Sequence, residues 1–209
     1  MKQRKTIETA ILFGLICAIL LSVSRFSAVC DDLRGNVLRL HILANSDSEE
    51  DQAVKLLVRN RLLEETGALF EQQTDLSAAE KIAGKNLQRF CDIAGQVLSE
   101  NGFSYGVSAS LEDAFFETRV YDDFTLPAGT YRSLTIRLGN AAGKNWWCVV
   151  FPAVCIPAAQ SAQLSDSVSA VSAEVAEHPS GYVLRFKTVE WYEKVKYQLL
   201  HLKNKNLLD

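Results

Sequence analysis

The sequence predicts an α+β domain. Its sheet is mostly antiparallel, two long helices lie on one face, a C-terminal helix closes the chain, and a signal or anchor segment precedes it all. Three observations carry this reading. Within Val37 to Leu43, residues Leu38 to Ile42 alternate between apolar and polar. Two long stretches then place apolar residues at helical spacing, and several short alternating runs follow, divided by turns containing Pro or Gly. Helices and strands that come in runs, rather than one for one, point to α+β. At 209 residues, 48% hydrophobic and 22% charged, the chain is long enough and apolar enough for one domain with a core. A net charge of −3 speaks against a nucleic-acid partner.

The N-terminus sets the compartment. MKQRK is basic, and Ala10 to Val23 is an unbroken apolar run. The run is shorter than the ~20 residues a spanning helix needs and matches the apolar region of an export signal. Small residues at Ser22-Val23-Ser24 and at Ala28-Val29-Cys30 offer two cleavage positions. An export signal is the favoured reading of residues 1–30, with a retained anchor as the alternative. Membrane contact is expected through this segment if it is not cleaved. Either way the remainder lies outside the cytoplasm, where disulfides are allowed. Cys148 and Cys155 are the one close cysteine pair. They read either as a disulfide or as two small buried hydrophobes.

In the first strand Leu38, Leu40 and Ile42 point one way and Arg39 and His41 the other. A helix is expected over about 49–65, with Val54, Leu57, Val58 and Leu62 as its seam and Gly67 at its end. A second helix is expected from Leu76 to Asn101, opened by a Ser77/Glu80 capping box and stopped at Gly102. Strands follow at 105–111, 115–121, 131–138 and 146–151, with LPAGTY and GNAAGKN as turns. The α+β domain is thus bounded at 31–157. Residues 158–180 are rich in Ser, Ala, Gln and Glu, and read as a flexible insertion. Residues 181–209 return to pattern, as a strand at 182–186 and a helix seamed by Val189, Tyr192, Val195 and Leu199.

The polar stretch ANSDSEED, Ala44 to Asp51, is the natural place to look for chemistry. An EF-hand loop counted from Asp47 would need Gly at its sixth place and Glu at its twelfth, and finds Gln52 and Val58. No metal site and no cofactor is expected. Cys148, His41 and Asn45 supply the residue types of a nucleophile, a base and its orienter, but no spacing joins them, and Cys148 sits mid-strand. No catalytic residue is assigned, and a hydrolase of the Cys148/His41 type stays as the alternative. Helix capping by Ser46, Asp47 or Ser48 accounts for the acidic residues that follow, which favour the positive end of the helix dipole. It does not account for His41 and Asn45.

LRLHILANSDSEEDQAVKLLVRN, residues 38 to 60, resembles the stage II sporulation protein R family, the sporulation signal proteins of endospore-forming bacteria. So does LPAGTYRSLTIRLGNAAGKNWWCVVFPAVC, Leu126 to Cys155, with lesser matches at Phe116 to Tyr121 and in LRFKTVEWYE. Two positions depart from the family pattern: Asn60 stands where Asp is usual after the Arg, and FPAVC replaces F-P-P-L-C. The resemblance implies a protein that is not an enzyme. It implies export from the forespore into the intermembrane space of the sporulation septum. There the protein would act as a ligand that activates a membrane-embedded aspartic protease, which processes pro-sigma-E in the mother cell. The residues singled out for partner binding are His41, Asn45, Ser46, Asp47 and Asp51 in the first block, and Asn145, Trp146 and Trp147 in the second. Adjacent Trp146 and Trp147 are expected on opposite faces of one strand.

Overall fold

The alternation at Val37–Leu43 becomes the inner part of a sheet. The computed structural model describes residues 2–121, 124–154 and 164–205. In chain order these form α1 (Lys2–Gly35), β1 (Leu38–Leu43), α2 (Glu49–Thr66), α3 (Ala68–Glu71), α4 (Leu76–Lys85), α5 (Leu87–Glu100), β2 (Val107–Phe116), β3 (Arg119–Val120), β4 (Thr125–Leu126), β5 (Gly129–Leu138), β6 (Asn145–Phe151), α6 (Ala170–Glu177) and α7 (Val183–Lys205). The main sheet has the order β2-β5-β1-β6. β5 is antiparallel to β2 and β6 is antiparallel to β1, whereas β1 and β5 run parallel. A parallel pair needs a crossover, and the chain between β1 and β5 runs through α2 to α5 and then β2, β3 and β4.

Helix α2 starts where Ser48 accepts a hydrogen bond from the Asp51 amide at 3.2 Å. Its buried seam is Val54, Val58, Leu62 and Leu63, whereas Leu57 is exposed. The stretch from Leu76 to Asn101 is two helices rather than one. Asn86 leaves helical geometry, and its side chain donates to the Ile82 carbonyl at 2.8 Å, closing α4 before α5 begins. The cap of α4 is Asp75, which accepts from Ala78 N at 2.9 Å. The expected Ser77/Glu80 box does not form, and Glu80 instead faces Arg132 at 3.3 Å. Leu38, Leu40 and Ile42 of β1, Leu134 and Ile136 of β5, and Cys148 and Val150 of β6 meet α2, α4 and α5 in one core. Burial of this kind contributes roughly 1.5–3 kcal/mol per large side chain.

Among the described residues, a second layer covers one end of the opposite sheet face. There Val149, Tyr131 and Phe116 pack with Leu33 of α1, with Phe124 and Leu126, and with Ala173 and Ala176 of α6. Within the segment read as a flexible insertion, Leu164–Asp166 is a short 3-10 turn and α6 is a helix capped by Ser169. Its small side chains, Ser172, Ala173 and Ala176, allow the close approach that large residues would prevent. The strand expected at 182–186 is helical. The pattern there has a helical period, and Phe186, Val189, Glu193 and Tyr197 face the domain. The expected seam of Tyr192, Val195 and Leu199 lies on the exposed side.

The fold also draws on the N-terminal segment. Phe26, Cys30 and Leu33 of α1 are buried. Arg34 donates to the Ala128 carbonyl at 2.8 Å and lies 3.6 Å from Glu193. Gly129, at φ +150, leaves room for that Arg34 side chain, which a Cβ would strike.

Candidate functional site

The polar stretch after β1 is a latch. Asp51, in the first turn of α2, is 4% exposed and lies between β1 and the β5–β6 loop. Its Oδ2 accepts from Asn45 Nδ2 at 2.9 Å and from Ser46 Oγ at 2.6 Å, and its Oδ1 accepts from Tyr105 OH at 2.8 Å. Burial pushes the Asp51 carboxyl up, but these bonds outweigh it and hold the group below its ordinary 3.8. Asn45 Oδ1 then accepts from the Asn140 amide at 2.9 Å, and Asp47 Oδ1 accepts from the Lys144 amide at 2.7 Å. Buried Lys55 donates to Gln52 Oε1 at 2.6 Å and to the Lys144 carbonyl at 2.9 Å. The loop glycines fit the contact closely, since a Cβ at Gly139 would strike the Asn45 side chain and one at Gly143 the Ser46 carbonyl.

The open half of the sheet is built differently. Residues paired across adjacent strands share a face, so His41 stands beside Thr135 and Trp147. His41 Nε2 lies 2.8 Å from Asn145 Oδ1. With that oxygen as acceptor, the neutral ring carries its proton on Nε2 and leaves Nδ1 as an acceptor. Trp147 meets the His41 ring edge to face at 5.8 Å and the Phe116 ring at 5.2 Å. The Arg119 guanidinium sits 4.8 Å from the Trp147 ring centre, and that of Arg39 sits 4.2 Å from Phe116. At the edge, Arg137 bonds Glu112 Oε1 at 2.5 Å and Ser110 Oγ at 2.9 Å. Burial raises the Glu112 carboxyl, but hydrogen bonds led by that from Arg137 hold it below the ordinary carboxylate range.

Arg39 departs from the half-exposed strand that the alternation suggested. It is 0% exposed under the second layer, where it donates to Tyr121 OH at 2.5 Å and stacks on Phe116 and Tyr131. Among the described residues, Arg39 Nε and Nη1, His41 Nδ1, Thr118 Oγ1, Thr125 Oγ1, Trp147 Nε1 and, on the helix-facing side, Trp146 Nε1 are buried atoms with no hydrogen-bond partner. An unfilled buried polar group costs about 1–3 kcal/mol. Burial holds the His41 pKa below 6.5. The Asn145 bond and Glu112 oppose the shift, and the positive charges of Arg137 and Arg39 reinforce it.

The residues singled out from sequence therefore fall into three groups. Asn45, Ser46, Asp47 and Asp51 belong to the latch, and His41, Asn145 and Trp147 to the open face. Trp146 points to the helix layer, where Arg59 lies over its ring at 4.2 Å and bonds Asn60 Oδ1 at 2.6 Å and 2.9 Å. The two tryptophans do face opposite sides. Cys148 pairs with Leu40 and packs in the helix-side core, so the sheet itself separates it from His41. No nucleophile–base pair forms from these two residues. The pairing of Cys148 with Cys155 concerns a residue outside those described. Among the described residues no cluster of three or more His, Cys, Asp or Glu has metal-holding geometry. Sequence reasoning missed Arg119 and Phe116 as neighbours of Trp147. No alternation signals both, because three positions separate them and they lie on different strands, β2 and β3.

The chain is thus a helix-backed sheet behind an N-terminal apolar helix compatible with a signal or an anchor. The chain matches the family described as stage II sporulation protein R over residues 34–161, and it belongs to that family. It is 35% identical over 118 residues to stage II sporulation protein R of Bacillus subtilis strain 168. The match covers 56% of this chain and 53% of that protein, so the chain spans about half the length of the curated relative it matches. No solved structure matches. The two sequence blocks that carry the resemblance are neighbours in space, because β1 lies between β5 and β6.

Proposed function

We propose that this chain is an exported sporulation signal that acts as a protein ligand rather than as an enzyme. Its partner is a membrane-embedded aspartic protease that processes pro-sigma-E in the mother cell, and its place of action is the intermembrane space of the sporulation septum. The observation that supports this reading is the sheet face on which Trp147 touches both His41 and Arg119, while the other face packs against the helices. Trp and Arg supply most strong anchors at protein interfaces, and a desolvated cluster at the centre of one carries most of its energy. The test is reconstitution. Purified chain is added to the protease in membranes together with pro-sigma-E, and processing is measured. Stimulation that is lost in Arg119→Ala or His41→Ala, with melting unchanged, supports the reading. Processing that proceeds equally without the chain, or with both variants, contradicts it.

A further inference from the structure

From the geometry of α1 and α7, we propose that the first turns of α7 form a collar that seats on the lipid surface where α1 leaves the bilayer. This contact is independent of the proposed protein partner. Helix α1 is apolar from Ile7, and its 18-residue window of mean hydropathy 2.2 is 0% buried. From Ile7 to Ser24 the helix is about 27 Å long, close to the ~30 Å of a hydrocarbon core. The exposed large apolar side chains stop at Val23 and the buried ones start at Phe26. At that level α7 begins. Tyr182 stacks on Phe26 at 5.9 Å, Phe186 meets it edge on at 5.3 Å, and Arg185 lies over Tyr182 at 5.4 Å.

Beside these contacts Leu184 is 81% exposed, Val183 52% and Trp191 71%. Leu184, Thr188, Trp191 and Val195 follow helical spacing and make one stripe. Trp191 borders a groove of about 740 Å³ whose far wall includes Ser22, Val23 and Ser24, the last residues of the apolar run. Aromatic rings with an apolar body and a polar edge, flanked by Arg25, Arg185 and Lys187, are what the bilayer–water boundary favours. The occupant is therefore the bilayer surface, because the patch is continuous with the helix that enters it.

The experiment uses the full chain in vesicles of phosphatidylglycerol and phosphatidylcholine, with or without bromine on the acyl chains. Bromine quenches indole only at close range. The chain has three tryptophans, and Trp146 and Trp147 lie in the sheet. The bromolipid should quench an emission component that Trp191→Phe abolishes, about a third of the total if the three indoles emit alike. Leu184→Glu should reduce that component at least about twofold, with unchanged melting, because a charge opposes seating in the interface. The proposal is overturned if quenching is the same in wild type and Trp191→Phe. It is equally overturned if Trp191 is unquenched and the chain instead self-associates in detergent in a way that Leu184→Glu prevents, since the patch would then cover a second copy. Should Leu184→Glu fail to fold, the Trp191→Phe comparison decides alone.

Discussion

Asp51 and His41 lie on consecutive elements of the same sequence block, and their surroundings are opposite. Asp51 accepts three side-chain hydrogen bonds, and the groups around it close onto the β5–β6 loop. His41 has one such bond, to Asn145, and an Nδ1 with no partner among the described residues. Polar density in a sequence is thus a poor guide to a site. The polar groups of the knot satisfy one another and fix where the β5–β6 loop sits. The sparser set on the sheet face leaves bonding capacity unspent. Fixing that loop also fixes Asn145, the residue that holds His41, so the latch acts on the face through position.

The comparison can be broken at the latch first. Asp51→Ala removes the shared acceptor and leaves the Asn45, Ser46 and Tyr105 donors unfilled. At roughly 1 kcal/mol per bond, plus the penalty of orphaned donors, the loss should be about 3 kcal/mol or more. Chemical denaturation would show it as a lower midpoint with an unchanged slope. Gly143→Ala presses on the Ser46 carbonyl, which is backbone and yields poorly. A loss of about 1–3 kcal/mol is expected, as for other overpacked sites, and it should be smaller in an Asp51→Ala background where the latch is already open.

The face sharpens the comparison through pH. The His41 pKa is lower folded than unfolded, so on acidification the unfolded chain takes up its proton first. The contribution is full above the ordinary 6.5 and is lost as the pH falls through the folded value. Melting temperature should therefore drop as the pH falls below the ordinary 6.5, and His41→Gln should flatten that part of the curve. An unaltered acid limb in the variant would place the titrating group elsewhere. The smallest effect is at the helix cap. Ser48→Ala should cost about 1 kcal/mol, read by thermal melting, with signalling by the folded protein unchanged.

Much of the fold was legible where one pattern decides one element. The alternation at Val37–Leu43 gave β1, and the seam of Val54, Val58 and Leu62 gave α2. What was illegible depended on distant partners. Tyr105 is 54 residues from Asp51, and Asn140 is 95 from Asn45, so the sequence presented latch residues as free polar groups. The parallel pairing of β1 with β5 likewise spans the whole helical layer. The α7 seam was misjudged by phase. Leu184, Trp191 and Leu199 lie outward, and the domain instead takes Phe186 with Glu193, whose carboxylate faces Arg34. For the site, the opposed faces of Trp146 and Trp147 followed from strand geometry. The burial of Arg39 followed from a second layer that the alternation alone does not announce.

The central claim separates two residues that the sequence placed together, His41 and Asn45. The direct measurement is thermal melting beside pro-sigma-E processing in reconstituted membranes, for His41→Ala and Asn45→Ala at equal folded concentration. Asn45→Ala should lower stability by about 2 kcal/mol, since it strips Asp51 of one donor and the Asn140 amide of its acceptor. Its folded fraction should still signal. His41→Ala should melt near the wild type at neutral pH and lose processing by about thirtyfold, the effect of removing a central anchor worth about 2 kcal/mol. The opposite pattern, with His41→Ala signalling normally and folded Asn45→Ala inactive, would contradict the account and return the binding surface to the knot.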